Sequence, residues 1–391
     1  MRKVLVNSCR LLLAVVFILS GFVKAVDPLG TQYKIQDYLE VMHLADLVPD
    51  FMTLAASVVQ AAVEFCLGIF LLFAIQRRLV SRLIVLIMLF MTPLTLWLAL
   101  ANPISDCGCF GDAVILTNWQ TFWKNVVLLI SAIIVARWPH HMFRFVSESN
   151  QWIVINYSAL FVLGVSVWSL YDLPMFDFRP YHVGTNLRQG WEQTMDGEDL
   201  PYADFFIETA DDGEDITETV LNDSGYVFLL VSPYLEVADD SRLDLINEIY
   251  EYSKEHAYPF YCLTASTERA MNQWRGMTGA EYPFCLTDGT TLKTIIRSNP
   301  GLVLLKDGVI IRKWSHNRLP AMDEEATAKP LDQMKEGQLP TDTVPEKIAK
   351  IMLWFVLPLM LLSLADRTWM WTQWLRKRRK VFFKPYKTTK K

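Results

Sequence analysis

Six runs of apolar residues constrain this chain more than any other feature. They occupy residues 4–26, 51–75, 79–100, 119–136, 152–170 and 348–364. Each is long enough to cross the hydrocarbon core of a bilayer, which takes roughly 17–25 residues of helix. Lipid offers the backbone no hydrogen-bond partners, so each run is expected to be an α-helix. Pro93 is expected to kink the third, with neighbouring helices compensating. Composition agrees, with 52% apolar and only 20% charged residues. The fold class expected is a multi-pass α-helical membrane protein of six spans, which excludes a cytosolic globule.

The net charge of -5 hides a segregation. From Asp172 to Lys347 there are 32 acidic and 15 basic side chains, a net of -17, against 10 acidic and 22 basic elsewhere. Such a chain is not broadly basic and is not expected to bind nucleic acid. The basic residues flank alternate ends of the spans: Arg2, Lys3 and Arg10; Arg77, Arg78 and Arg82; Arg137 and Arg144; and a tail from Arg376 to Lys391 without an acid. The first loop is acidic, and the third, residues 101–118, has neither Lys nor Arg. The positive-inside rule then puts both termini in the cytoplasm and residues 172–345 outside, across the inner membrane of a bacterium. A rival reading takes residues 1–25 as a cleaved signal peptide ending Val23-Lys24-Ala25. The length of the apolar stretch and Lys24 beside the site favour a span.

The acidic block is long enough for a domain with its own core. Strand-like runs at 226–232, 259–264 and 283–286 alternate with helical patterns at 239–256, 267–278 and 291–297. Two strands at 302–306 and 309–314 flank Asp307-Gly308, a type I′ turn signal. This order indicates a mixed sheet covered by helices. Over residues 184–320 it resembles the thioredoxin-like fold, in the branch with peroxiredoxin-like and TlpA-like domains. Residues 205–221 look like the leading hairpin of that branch, and Asn299-Pro300-Gly301 like its cis-proline turn. The resemblance implies client binding near Pro300. The family's Cys-x-x-Cys should follow the first core strand, where this chain has Ser232-Pro233-Tyr234-Leu235. The domain is therefore not expected to run thioredoxin chemistry from that place. Cys262 and Cys285 lie in two predicted strands. They are either small buried hydrophobes or a disulfide between adjacent strands.

The third loop reads Ser105-Asp106-Cys107-Gly108-Cys109-Phe110-Gly111-Asp112. Two thiols one residue apart would close a very small disulfide ring, and strain makes such a bond labile. Gly108 and Gly111 let the backbone bend around it. A metal site would need further ligands at useful spacing, and none is local. A static structural disulfide is the other reading. Glu64 lies mid-span, where an ionisable side chain is a functional-site candidate by default, and Lys24 is a possible partner. Cys9 and Cys66 read as buried hydrophobes.

Residues 1–140 resemble the MauE/DoxX group of four-helix membrane proteins. The resemblance rests on Ser20-Gly21-Phe22-Val23-Lys24 with Asp27-Pro28, on Glu64 with Gly68, and on Cys107-Gly108-Cys109-Phe110-Gly111, the last pointing to the MauE branch. It implies a membrane factor associated with thiol–disulfide redox and protein maturation, named for methylamine utilisation. The organisation expected is this segment, a fifth span at 150–171, an extracytoplasmic α/β thioredoxin-like domain at 172–320, a linker at 321–346, a sixth span at 347–366 and a basic tail at 367–391. Cys107 and Cys109 are the expected redox pair. A thiol-containing extracytoplasmic protein is the client and a membrane quinone the candidate electron acceptor. The alternative is a non-enzymatic assembly or scaffold protein whose thioredoxin-like domain holds a client. Little charge within the spans beyond Glu64 and no visible inverted repeat rank a transporter below both.

Overall fold

The computed structural model describes residues 1–104, 108–196, 200–322, 328–340 and 344–382. The chain divides into two compact units, one of Met1–Ser166 with Val344–Lys391 and one of Val167–Thr343.

In the first unit the helices are α1 (Arg2–Val26), α2 (Pro28–Val41), α3 (Asp50–Phe73), α4 (Arg77–Ala101), α5 (Asn118–Arg137) and α6 (Gln151–Tyr171), with a last helix, Val344–Phe382, described below as α12. Six of them, all but α2, are long and apolar enough to cross a membrane. α4 remains one helix through Pro93. α1 and α3 pack backbone to backbone. A Cβ on Gly21 would lie 2.3 Å from the Phe65 amide nitrogen, and one on Gly68 would lie 2.7 Å from that of Ile18. Only glycine permits this approach, as small residues do at other membrane helix interfaces.

α2 was not expected from the apolar pattern, because it does not span. Its start is nonetheless written in Asp27-Pro28. The Asp27 carboxylate accepts from the Gly30 amide at 2.9 Å, and Pro28 takes the first helical position, where its missing N–H costs nothing.

The second unit is an α/β domain. Its elements are α7 (Leu187–Met195), β1 (Glu208–Thr209), α8 (Thr217–Leu221), β2 (Tyr226–Val231), α9 (Leu243–Glu255), β3 (Phe260–Thr264), α10 (Glu268–Thr278), β4 (Phe284–Leu286), α11 (Gly289–Ile295), β5 (Gly301–Lys306) and β6 (Val309–Ser315). They form one sheet in the order β1-β4-β3-β2-β5-β6. β2, β3 and β4 are parallel, while β5 runs antiparallel to β2 and to β6. Every residue of β2 is buried, as expected of a central strand covered on both faces. Asp307 and Gly308 both have positive φ, the geometry a type I′ hairpin turn requires. The Asn299–Pro300 peptide is cis. This sheet order and the cis-proline before β5 fit the thioredoxin-like fold expected from the sequence.

The hairpin expected within residues 205–221 is present as a short antiparallel pairing: Glu208 bridges Asp215, the Thr209 amide donates to the Glu214 carbonyl and the Ile216 amide to the Ile207 carbonyl, each at 2.9 Å. One expectation needs correction here. The stretch read as a linker is packed over residues 328–340. Leu331 is fully buried in the domain core, Tyr226 Oη donates to the Gly337 carbonyl at 2.9 Å, and Arg312 donates to that of Lys335 at 2.7 Å.

The structure chooses between the two readings of the strand cysteines. In the β3–β4 register Cys262 faces Phe284 and Leu263 faces Cys285. Side chains alternate across a strand, so the thiols point to opposite faces of the sheet, and each joins a different half of the core. They cannot pair, and the reading as buried hydrophobes stands. Burial pushes the Cys262 thiol far up and that of Cys285 to about 12. Neither supplies thiolate near neutrality. In the native protein at pH 8 both should resist a maleimide for hours and react within minutes once urea opens the fold. Rapid native labelling at either position would contradict this packing.

Candidate functional site

The loop between α4 and α5 is fastened at both ends. Asn118 Nδ2 donates to Asn102 Oδ1 and to the Ile104 carbonyl, each at 2.8 Å. α5 opens on a capping box between Thr117 and Gln120. Gly108 has φ +65°, and a Cβ there would lie 3.0 Å from Lys34 Cγ of α2. Phe110 lies under the Lys124 ammonium, 4.4 Å from ring centroid to Nζ. Cys107, with Ser105 and Asp106, lies outside the described residues.

Beside this loop is a buried polar cluster carried by α1 and α3. Ser20 and Lys24 stand four residues apart and share a face of α1. Glu64 of α3 meets them in the interface that Gly21 and Gly68 make narrow. Lys24 Nζ donates to Glu64 Oε2 at 2.6 Å, to Ser20 Oγ at 2.8 Å and to the Cys109 carbonyl at 3.0 Å. An ammonium has three protons, so its donor capacity is filled. Ser20 Oγ lies 2.6 Å from both Glu64 Oε2 and the Cys109 carbonyl and donates its single proton to one of them. Gln60 donates to the other carboxylate oxygen, Glu64 Oε1, at 3.1 Å. Side-chain exposure is 5% for Lys24 and 14% for Glu64.

Removing two charges from water is costly, and the pair is tolerable in a membrane segment because each charge is matched and hydrogen-bonded. The arrangement holds the backbone of Cys109 against a fixed positive charge. It thus sets the conformation of one half of the Cys-Gly-Cys turn. The sequence singles out Glu64 and Lys24 as a candidate pair and Lys24 as a candidate cation for the loop, but not the hydrogen bond to the Cys109 carbonyl. The available signal was the Ser20/Lys24 spacing of four. Cys66, two residues from Glu64, points off this face, and Cys9 is at the other end of α1.

An aromatic cluster flanks Glu64. Phe22 of α1 and Phe65 of α3 pack with Phe161 of α6 and Phe355 of α12, with centroid separations from 4.3 to 6.5 Å. Tyr157 Oη donates to the Trp354 carbonyl at 2.5 Å. The fifth and sixth spans therefore seat on the α1/α3 pair next to the charged cluster.

In the α/β domain, the position of the family's thiol pair is closed by polar contacts. Ser232 Oγ, fully buried, donates to Asn299 Oδ1 at 2.7 Å. Asn299 Nδ2 in turn donates to the Tyr234 carbonyl at 2.8 Å, stitching the turn after β2 to the residue before Pro300. Further along, Asp177 accepts from Arg179 Nε at 2.7 Å and Lys313 Nζ at 3.0 Å. Burial would raise the Asp177 carboxyl, but these two cations hold it well below the usual range. Burial likewise draws the Lys313 ammonium down to about 8. This cluster ties the chain leaving α6 to β6 and has a structural role. Among the described residues no group of His, Cys, Asp or Glu has an arrangement that could hold a metal ion.

Residues 2–137 match the profile of the family described as "Methylamine utilisation protein MauE". Comparison with curated proteins gives no match. Among solved structures, one from Bacteroides thetaiotaomicron, described as a candidate protein disulfide isomerase, is 20% identical over 32% of this chain and 79% of that one. Its TM-score of 0.25 is too low to bear on function. The first third of the chain is thus similar to the MauE family over four long apolar helices, and the same polypeptide continues with two further apolar helices that bracket an α/β domain.

Proposed function

We propose that this is a membrane thiol–disulfide redox or maturation factor that works through Cys107 and Cys109. The observation that carries the reading is the clamp of Lys24 and Ser20 on the Cys109 carbonyl, braced by Glu64. A loop that were only a turn would not need a buried ion pair behind it. In the proposed cycle a thiolate of the client attacks the Cys107–Cys109 disulfide, and a second client thiol resolves the mixed disulfide. The client leaves oxidised, and the loop holds two thiols. Those thiols return two electrons and two protons to a membrane quinone, which becomes the quinol, and the disulfide re-forms. The protein sits in the inner membrane with both termini cytoplasmic, so the loop and residues 172–345 face the oxidising side.

The thioredoxin-like domain contributes binding rather than chemistry on this reading, with the turn at Pro300 as the client contact. Its thiol-free Ser232–Asn299 stitch also favours the alternative of a non-enzymatic scaffold. A Cys109→Ser protein in native membranes separates the two. The redox reading expects the lone Cys107 thiolate to attack the disulfide of oxidised client, the last exchange run backward, so that one client sulfur leaves as a thiol and a mixed disulfide on Cys107 remains that is lost with reductant. Absence of any adduct, with the wild-type pair permanently oxidised, would leave the scaffold. Protease added to spheroplasts should cut residues 172–345 and spare the tail, and the reverse pattern would overturn the orientation.

A further inference from the structure

The last helix, α12 (Val344–Phe382), has 39 residues, about 58 Å at helical rise and roughly twice what the hydrocarbon core needs. Its depth is fixed at one point. Asp366, 5% exposed, accepts from the Ser147 amide at 2.7 Å, from Ser147 Oγ at 2.6 Å and from Asn150 Nδ2 at 2.6 Å. Arg367 lies over the Phe143 ring at 4.5 Å and donates to the Arg144 carbonyl. All these partners belong to the polar connection between the end of α5 and the start of α6. Asp366 therefore marks on α12 the level at which those two spans leave the bilayer.

Beyond that level α12 continues for 16 residues, about 24 Å. Trp369, Met370 and Trp371 come first, with 61%, 54% and 62% of their surfaces exposed. They stand about 5–8 Å past Asp366, a distance that matches the headgroup layer on one side of a bilayer. Indole rings prefer that layer. Arg376 is exposed and about 15 Å past Asp366, and the sequence runs on through Lys377, Arg378, Arg379 and Lys380. From Arg367 to Lys391 there are ten basic residues and no acidic one.

We infer that the end of α12 past Asp366 is a binding segment for anionic lipid, with its tryptophans set among the headgroups and the basic sequence from Arg376 onward as the source of the attraction. Charge complementarity selects this occupant. A second copy of the chain docking on the same tryptophans would bring two sets of ten like charges together, whereas acidic headgroups neutralise them within a Debye length of about 8–10 Å. The inference stands on unit-one geometry and does not depend on the redox reading.

The test is native mass spectrometry of the full chain released from detergent, with dioleoyl phosphatidylglycerol or dioleoyl phosphatidylcholine at equal mole fraction. The wild type should retain at least about tenfold more of the anionic lipid, since each juxtamembrane cation adds a similar electrostatic increment. Exchanging Arg376, Lys377, Arg378, Arg379 and Lys380 for Gln removes half of the ten cations and should cut that preference severalfold. A tenfold rise in ammonium acetate should do the same to the wild type, which keeps the test decisive if the variant does not accumulate. Equal retention of the two lipids by the wild type would overturn the inference. So would a preference that survives the Gln exchanges or the salt undiminished, or a dimer mass that disappears in Trp369→Ala/Trp371→Ala while lipid retention is equal.

Discussion

Cys107→Ser and Cys109→Ser proteins should each accumulate in the membrane and fail to rescue a strain lacking the gene, while Cys9→Ala and Cys66→Ala proteins rescue it. A single remaining thiol leaves no loop disulfide for a client thiolate to attack and none to re-form, so the loss should be essentially complete. The two span cysteines sit in lipid-facing helices, where attack by an aqueous thiolate is blocked. Their replacement should cost only packing, of order 1 kcal/mol. The measurement is complementation with membrane abundance scored in parallel. Full rescue by either serine variant at normal abundance would reduce the Cys-Gly-Cys loop to a structural turn.

The second large effect concerns the clamp. Lys24→Met leaves the Glu64 carboxylate buried without its cation, a change that typically costs about 3–5 kcal/mol. Glu64→Leu leaves Lys24 with only the neutral acceptors Ser20 Oγ and the Cys109 carbonyl. Both single variants should accumulate poorly. The double variant Lys24→Met/Glu64→Leu removes both charges together and should recover most of the abundance, because an apolar pair of similar volume is often no less stable than a buried ion pair. It should not recover rescue, since the Cys109 carbonyl still lacks the Lys24 donor. Abundance by immunoblot and heat resistance in detergent read the first part, and complementation reads the second. Singles as abundant as the wild type, or a double variant that also rescues, would show that the pair neither bears stability nor positions the loop.

Much of this was legible in the sequence because lipid leaves the backbone few choices. Six long apolar runs had to be six helices, and the ends of the first five moved by only a few residues once packed, while the sixth continues past residue 364 to Phe382. The α/β order was equally plain: 226–232 became β2 at Tyr226–Val231, and Asp307-Gly308 turned the β5–β6 hairpin as its residues demand. The acidic run after Thr209 also turns as expected, with the Thr209 amide donating to the Glu214 carbonyl at 2.9 Å. What the pattern misled on was local: the polar stretch after Pro320 looked like a linker, yet Leu331 is buried in the core and the carbonyls of Gly337 and Lys335 accept from Tyr226 and Arg312.

The thiols show where sequence stops. Cys262 and Cys285 have matching neighbours and adjacent strands, and nothing in one dimension tells whether they meet. A register offset of one residue sends them to opposite faces. Residue order alone establishes that Glu64 lies inside a span, that Lys24 could balance it, and that Cys107 and Cys109 share one loop. The packed helices add that Lys24 spends its third proton on the Cys109 carbonyl, 85 residues away in the chain. Spacing along a helix fixes which side chains share a face, but which loop comes to lie on that face depends on the α1/α3 approach that Gly21 and Gly68 allow.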